Sequence, residues 1–322
     1  MACHAPPAEL NFRALAKPSL NSAPTRLLVV ELWGLGDLAL ALPFLRTACD
    51  HTEVTLLAKP HAAPLLARFA PEVKHIPLVA PWTAFEGKYQ LHRWPWPELF
   101  RVRSALRSAH FDLGISARRD PRDHALLRLA GARRRIGFPR AGSQLLLSNA
   151  LAAPARPHRA DHWRALATAL GWDLPLTTPP ARNGRRLVIH TGAGRALREW
   201  PRDRFEEIAA RLRGAGWDVT LLDDSLQDLG ALLLALVGAD RFIGNDSGPG
   251  HLAALLGVPT FTIFGPQLPE LFAPQHPRAA WIEGAPCRFK PCFDSCHFAT
   301  PHCIRDLTAD AVWAKVQPWL AA

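Results

Sequence analysis

An α/β fold made of two Rossmann-like domains is what this 322-residue sequence predicts, and three observations predict it. Strand-length apolar runs alternate with helix-length segments along most of the chain. A stretch of linker composition, Pro175-Leu176-Thr177-Thr178-Pro179-Pro180-Ala181-Arg182-Asn183-Gly184, falls near the middle. Glycine turns close several of the apolar runs, at Gly34-Leu35-Gly36, Gly192-Ala193-Gly194 and Gly248-Pro249-Gly250. Alternation of this kind implies parallel strands joined by right-handed crossovers, and a chain this long can fill two medium cores.

The elements follow in order. Residues 1–24 lack apolar periodicity and predict a flexible arm ahead of the first domain, which runs to residue 180. Thr25–Leu32 is a nearly continuous apolar strand, Trp33-Gly34-Leu35-Gly36-Asp37 a turn, and Leu38–Cys49 a helix in spite of Pro43. Strands are expected at Glu53–Ala58, Val73–Pro77 and Phe111–Ser116, with a helix over Pro97–Ala109. The second domain, 181–322, restarts the pattern with the strand Arg186–His190. Helix Asp203–Gly214, strand Trp217–Leu222 and helix Leu226–Val237 lead to a short buried strand at Arg241–Ile243. His251–Leu256 begins a helix that Gly257-Val258-Pro259 ends, and Thr260–Phe264 is the next strand. A final helix at Ala309–Gln317 is expected to cross back to the first domain.

Composition narrows the function classes. Apolar residues make up 48% and charged residues 20%, which argues for a folded globular protein and against disorder. No window supplies the ~18 uninterrupted apolar residues of a membrane span, and the N-terminus has no apolar signal core. The chain is therefore expected in the cytoplasm. Its net charge of +10 comes mostly from arginine, in patches such as Arg118-Arg119, Arg133-Arg134-Arg135 and Arg185-Arg186. Such a basic face suits anionic lipid headgroups, phosphorylated glycans or nucleic acid. A general arginine bias of the source would give the same excess.

Asp240–Pro266 is the most informative stretch, reading DRFIGNDSGPGHLAALLGVPTFTIFGP. It sets Asp246, Ser247, Gly248 and His251 between a strand and a helix, where free N–H groups and the positive end of the helix dipole receive a phosphate. An ordinary capped helix is the plain alternative. Asp37 stands at a second strand-to-helix turn, with its carboxylate free to point into a cleft between the domains. The spacing Gly34-x-Gly36-x-x-Ala39 also satisfies a relaxed dinucleotide fingerprint, so a nicotinamide-dependent oxidoreductase competes. The acidic residue that would bind the ribose is replaced by Ala58-Lys59-Pro60. A non-catalytic nucleotide- or nucleic-acid-binding protein has only the charge in its favour, since no aromatic RNA-binding strand or helix-turn-helix is legible.

Taken together, the strand with its GLGD turn, the mid-chain HTGAGRALREWP and the GNDSGPGHLAALLGVPTFTIFGP segment resemble the heptosyltransferase family, glycosyltransferase family nine. The resemblance runs from about Thr25 to the C-terminus. It implies the GT-B fold, two Rossmann-like domains facing across a cleft, with acceptor bound by the first and nucleotide sugar by the second. It further implies metal-independent, inverting transfer of a heptose from ADP-heptose or a related donor to a lipopolysaccharide core or similar lipid-linked glycan. No nucleic-acid partner is implied, and the enzyme would work in the cytoplasm, peripherally at the inner membrane. Carried over by residue, Asp37 is the general base, with Gly34 and Gly36 in the acceptor-side loop. Thr191, Gly192, Ala193, Gly194 and Arg198 contact the donor phosphates, and Asp246, Ser247, Gly248 and His251 bind the nucleotide. Where relatives carry a glutamate segment against the nucleoside, this chain has Asp223-Asp224-Ser225, so that either Asp223 or Asp224 substitutes, with Asp223 the candidate donor contact.

Cys287, Cys292, Cys296 and Cys303 fall in one segment, CRFKPCFDSCHFATPHC. In a cytoplasmic chain such a cluster is better read as metal ligands than as disulfides, and it raises a structural zinc or iron site against the alternative of reduced, packed thiols.

Overall fold

A computed structural model describes residues 24–321 except 85–87, 157, 175–178, 180, 224–227 and 294. Residues 1–23 of the expected arm, half of the proline-rich linker, and Asp224 and Ser225 lie outside the described residues.

The first half of the chain folds as β1 (Arg26–Glu31), α1 (Leu35–Cys49), β2 (Glu53–Ala58), α2 (Ala62–Phe69), β3 (Lys74–Pro77), α3 (Trp96–Ser108), β4 (Leu113–Ser116), α4 (Pro121–Leu129), β5 (Arg134–Gly137), the short β6 (Asn149–Ala150) and α5 (Arg159–Leu170). Its six strands form one sheet in the order β3-β2-β1-β4-β5-β6, and every pairing is parallel. The buried strands are apolar on both faces because helices cover both sides, which is why they appear in the sequence as unbroken runs.

The second half contributes β7 (Arg186–His190), α6 (Arg202–Gly214), β8 (Asp218–Leu222), α7 (Leu229–Gly238), β9 (Arg241–Asn245), α8 (Gly248–Leu255), β10 (Thr260–Phe264), the single-turn α9 (Pro269–Phe272), β11 (Ala280–Glu283), the single-turn α10 (His302–Arg305) and α11 (Ala309–Ala321). These strands make a second parallel sheet in the order β11-β10-β9-β7-β8. Two parallel α/β sheets are the expected architecture.

The core explains where the helices end up. Pro43 does not break α1, whose Leu38, Leu42, Phe44 and Leu45 are fully or almost fully buried. Phe44 packs against Trp163 and Trp172, with ring centroids 5.2 and 5.7 Å away. The same buried cluster continues through Leu252 and Ala253 of α8, so α1 and α8 join the two halves. The final helix departs from its expected course. Val312, Val316 and Trp319 of α11 are buried with Phe205, Ile208 and Phe261 in the second core, because its apolar stripe matches the face of α6.

Candidate active site

In an open parallel sheet, ligands sit beyond the carboxyl ends of the strands where the strand order reverses. In the first sheet that point lies between β1 and β4. The loop after β1 carries Gly34, Gly36 and Asp37, and the loop after β4 carries Arg118. Asp37 is the third residue of α1, where its Oδ2 accepts from the N–H of Gly34 at 3.3 Å. The same oxygen is 2.7 Å from Nη2 of Arg118. The guanidinium carbon of Arg118 lies 4.6 Å from the centre of the Trp33 ring. Burial works against the Arg118 charge, and Asp37, Glu31, Asp123 and Asp120 more than offset it. Lys59 and Arg159 face the same carboxylates, and burial lowers both, Arg159 to about 10.

The second sheet reverses between β7 and β9. Thr191 to Gly194 follow β7, while Asp246 and Ser247 follow β9. Asn245 ties the two loops together: its Nδ2 donates to the carbonyl of Thr191 at 2.7 Å, and its Oδ1 accepts from the N–H of Trp200 at 3.0 Å. Ser247 is the N-cap of α8, but its hydroxyl turns back to the Asn245 carbonyl at 3.3 Å. The first N–H groups of α8, unpaired within the helix by geometry, are thus left for an anion. Asp246 is buried 3.7 Å from Nη1 of Arg198, and burial lifts its carboxyl to about 6, with Arg198 opposing and Asp37 reinforcing. His251, buried in the first turns of α8, is held neutral by burial with a pKa of about 4, and its Nδ1 has no partner among the described residues.

The two loop systems meet. A Cβ placed on Gly36 would stand 2.6 Å from Cδ2 of His251, and one on Gly248 would stand 2.8 Å from Cβ of Leu35. Glycine is needed at both positions because the starts of α1 and α8 touch there. Asp37, Arg198, Asp246, Ser247, Gly248 and His251 are therefore neighbours around one junction. Asp223 lies further along the donor side. It pairs with Nη1 of Arg202 at 2.6 Å and lines a cleft of about 460 Å³ with Thr191, Gly192, Glu199, Trp200 and Arg305.

Several residues here are not among the site residues that the sequence predicts: Glu31, Lys59, Arg118, Arg159, Asn245 and Arg202. Arg118 and Asn245 could have been found from position alone, since each sits at or just past the end of a strand flanking a switch point. The cysteines give the opposite result. Cys287, Cys292, Cys296 and Cys303 are each partly buried, and burial and neighbouring thiols raise Cys292 and Cys303. Among the described residues, however, no three His, Cys, Asp or Glu side chains converge as a metal requires. The expected zinc or iron ligand set is therefore not assembled among the described residues.

Paired parallel sheets whose switch points face each other, one bearing a carboxylate and the other an anion-receiving helix start, define the GT-B class of nucleotide-sugar transferases. The profile of glycosyltransferase family 9 (heptosyltransferase) matches residues 99–228 and 224–300. The chain belongs to that family and is a glycosyltransferase. It is 27% identical over 235 residues to lipopolysaccharide heptosyltransferase 1 of Pseudomonas aeruginosa, an alignment spanning 60% of this chain and 66% of that protein. The structure of E. coli heptosyltransferase WaaC with ADP superimposes with a TM-score of 0.72 at 20% identity, covering 92% of this chain and 100% of the other. TibC of enterotoxigenic E. coli, an iron-containing dodecameric glycosyltransferase, superimposes with a TM-score of 0.54 at 17% identity over 92% and 76% of the two chains. At these identities the structural likeness shows the fold.

Proposed function

We propose that this enzyme moves a heptose, or a closely related sugar, from an ADP-linked donor to an anionic glycan of the lipopolysaccharide-core kind, with inversion at the anomeric carbon. The observation that supports the reading is the junction of α1 and α8, where the Asp37 carboxylate stands beside a helix start suited to the donor phosphates. Residues up to 180 would hold the acceptor and residues 181–322 the donor.

Transfer then proceeds as one displacement. Asp37 takes the proton from the acceptor hydroxyl as that oxygen attacks the anomeric carbon. The bond to the diphosphate breaks on the opposite face, and the charge developing on the leaving group meets the N–H groups of Ser247 and Gly248 and the guanidinium of Arg198. His251, neutral at working pH, has Nδ1 available to a phosphate or sugar oxygen. Thr191 to Gly194 line the same side. Asp223 faces the nucleoside end through its pair with Arg202. Lys59, Arg118 and Arg159 give the acceptor side a positive lining suited to a carboxylated or phosphorylated sugar.

No helix among the described residues is long and apolar enough to cross a membrane. We place the enzyme in the cytoplasm, peripherally at the inner membrane, where its arginine-rich surface would favour an anionic leaflet.

A melting-temperature panel tests class and donor together. ADP and ADP-heptose should stabilise the protein, with UDP and GDP far weaker and NADH without effect. Stabilisation by NADH but not by ADP would overturn the assignment of this site to a nucleotide sugar.

A further inference from the structure

Glu31 closes β1 as a carboxyl only 3% exposed. An acid this deeply buried needs a reason, because acidic side chains are almost never fully buried without a partner. Its Oε1 accepts from the N–H of Trp33 at 3.2 Å and lies 3.9 Å from Nε of Arg118. That Nε makes no hydrogen bond among the described residues, although it is buried. The same guanidinium grips Asp37 through Nη2. One arginine thus stands between two carboxyls, bonded to one and just out of reach of the other.

We propose that Arg118 is the positioning residue for Asp37, and that Glu31 is the competing carboxyl that sets how firmly Arg118 holds it. The inference rests on Asp37 being the general base. Arg118 and the Gly34 N–H both bind Oδ2, which leaves Oδ1 to meet the acceptor hydroxyl. Holding that oxygen in place matters, since a shift of about 1 Å can cost on the order of a hundredfold in rate.

Glu31 exerts its influence through its proton. Burial raises its carboxyl to about 8; Arg118 opposes the rise, Asp37 and Asp123 add to it, and the Trp33 N–H opposes it. Lys59 and Arg159 complete the charged groups facing it. Below that pH Glu31 is neutral and the Arg118 charge is directed to Asp37. Above it, an ionised Glu31 draws Nε across roughly 1 Å to the ~2.8 Å of a charge-assisted bond, and Asp37 loses its anchor. The sign follows: alkaline pH lowers turnover by disordering the base.

The test is kcat for heptose transfer across roughly pH 6–10 in wild type, Glu31→Gln, Arg118→Gln and Arg118→Lys. ADP affinity and melting temperature serve as folding controls. Arg118→Gln should lower kcat about tenfold to a hundredfold with the Kd for ADP within about twofold, and Arg118→Lys should recover part of the loss. Wild-type kcat should fall above about pH 8, whereas Glu31→Gln should stay level through that range. An Arg118→Gln enzyme with wild-type kcat, or an alkaline fall unchanged in Glu31→Gln, overturns the inference. If Arg118→Gln does not fold, the Glu31→Gln profile decides alone. Asp37→Asn separates the two levels: an active Asp37→Asn overturns the general-base reading itself, while an inactive one beside an active Arg118→Gln overturns only the role of Arg118.

Discussion

Replacing Gly36 by alanine tests whether the two halves meet in solution as they do in the structure. The added methyl would lie 2.6 Å from Cδ2 of His251, 3.2 Å from Nε2 and 3.4 Å from Cγ. Ordinary carbon contacts begin near 3.6 Å, so the imidazole must retreat by roughly 1 Å. It has little room to do so, being buried in the first turns of α8. Overpacking of this kind costs about 1–3 kcal/mol. Because the strain falls between α1 and α8, it should appear both as reduced stability and as weaker ADP binding, by about fivefold to a hundredfold. Calorimetric titration with ADP and urea unfolding measure the two effects. His251→Ala in the same chain removes the clash, so the double variant should be more stable than Gly36→Ala alone, giving a coupling energy of about 1 kcal/mol or more. A Gly36→Ala protein that unfolds and binds ADP like wild type would refute the contact, and with it the argument that the base and the donor helix share one junction.

The remaining predictions concern charge. Asp37→Asn should abolish transfer, measured as product formed per enzyme, while calorimetry finds ADP affinity within a few-fold of wild type. Arg198→Ala and His251→Ala should weaken ADP by about tenfold to a hundredfold, the ~1.5–3 kcal/mol of a charge-assisted bond, and leave adenosine binding nearly unchanged; equal losses for both ligands would assign these residues to the base or the fold. Asp246 is raised by burial from 3.8 to about 6, so the folded state disfavours its ionised form. Its contribution is therefore favourable below pH 4 and is lost as pH rises through 6. Asp246→Asn should stabilise the ligand-free protein by up to about 2–3 kcal/mol near pH 8 and not near pH 4, read from urea unfolding at the two pH values. Transfer should persist in excess EDTA, because Arg198 and the start of α8 supply fixed positive charge to the diphosphate and Asp223 is already bound to Arg202; activity that vanished and returned only with a divalent cation would contradict this.

The sequence by itself determined the class of fold and half of the site. Parallel strands buried on both faces must be apolar throughout, so β1, β2, β7, β9 and β10 are visible as runs, and the glycines after β1 and β7 mark where strand gives way to loop. Asp37, Asp246 and His251 were legible because a short motif at a strand-to-helix turn fixes its own geometry. Only the tertiary structure decided the rest. Arg118 and Asp37 are distant in sequence and meet because β4 pairs with β1 across the reversal of strand order. His251 reaches Gly36 only because α8 packs on α1. The buried state of Glu31, and hence its raised pKa, depends on what surrounds the end of β1, which no local pattern encodes. The cysteine segment shows the limit from the other side: proximity in sequence raises both a metal site and packed thiols, and ligands must converge at one point, which only the folded backbone decides.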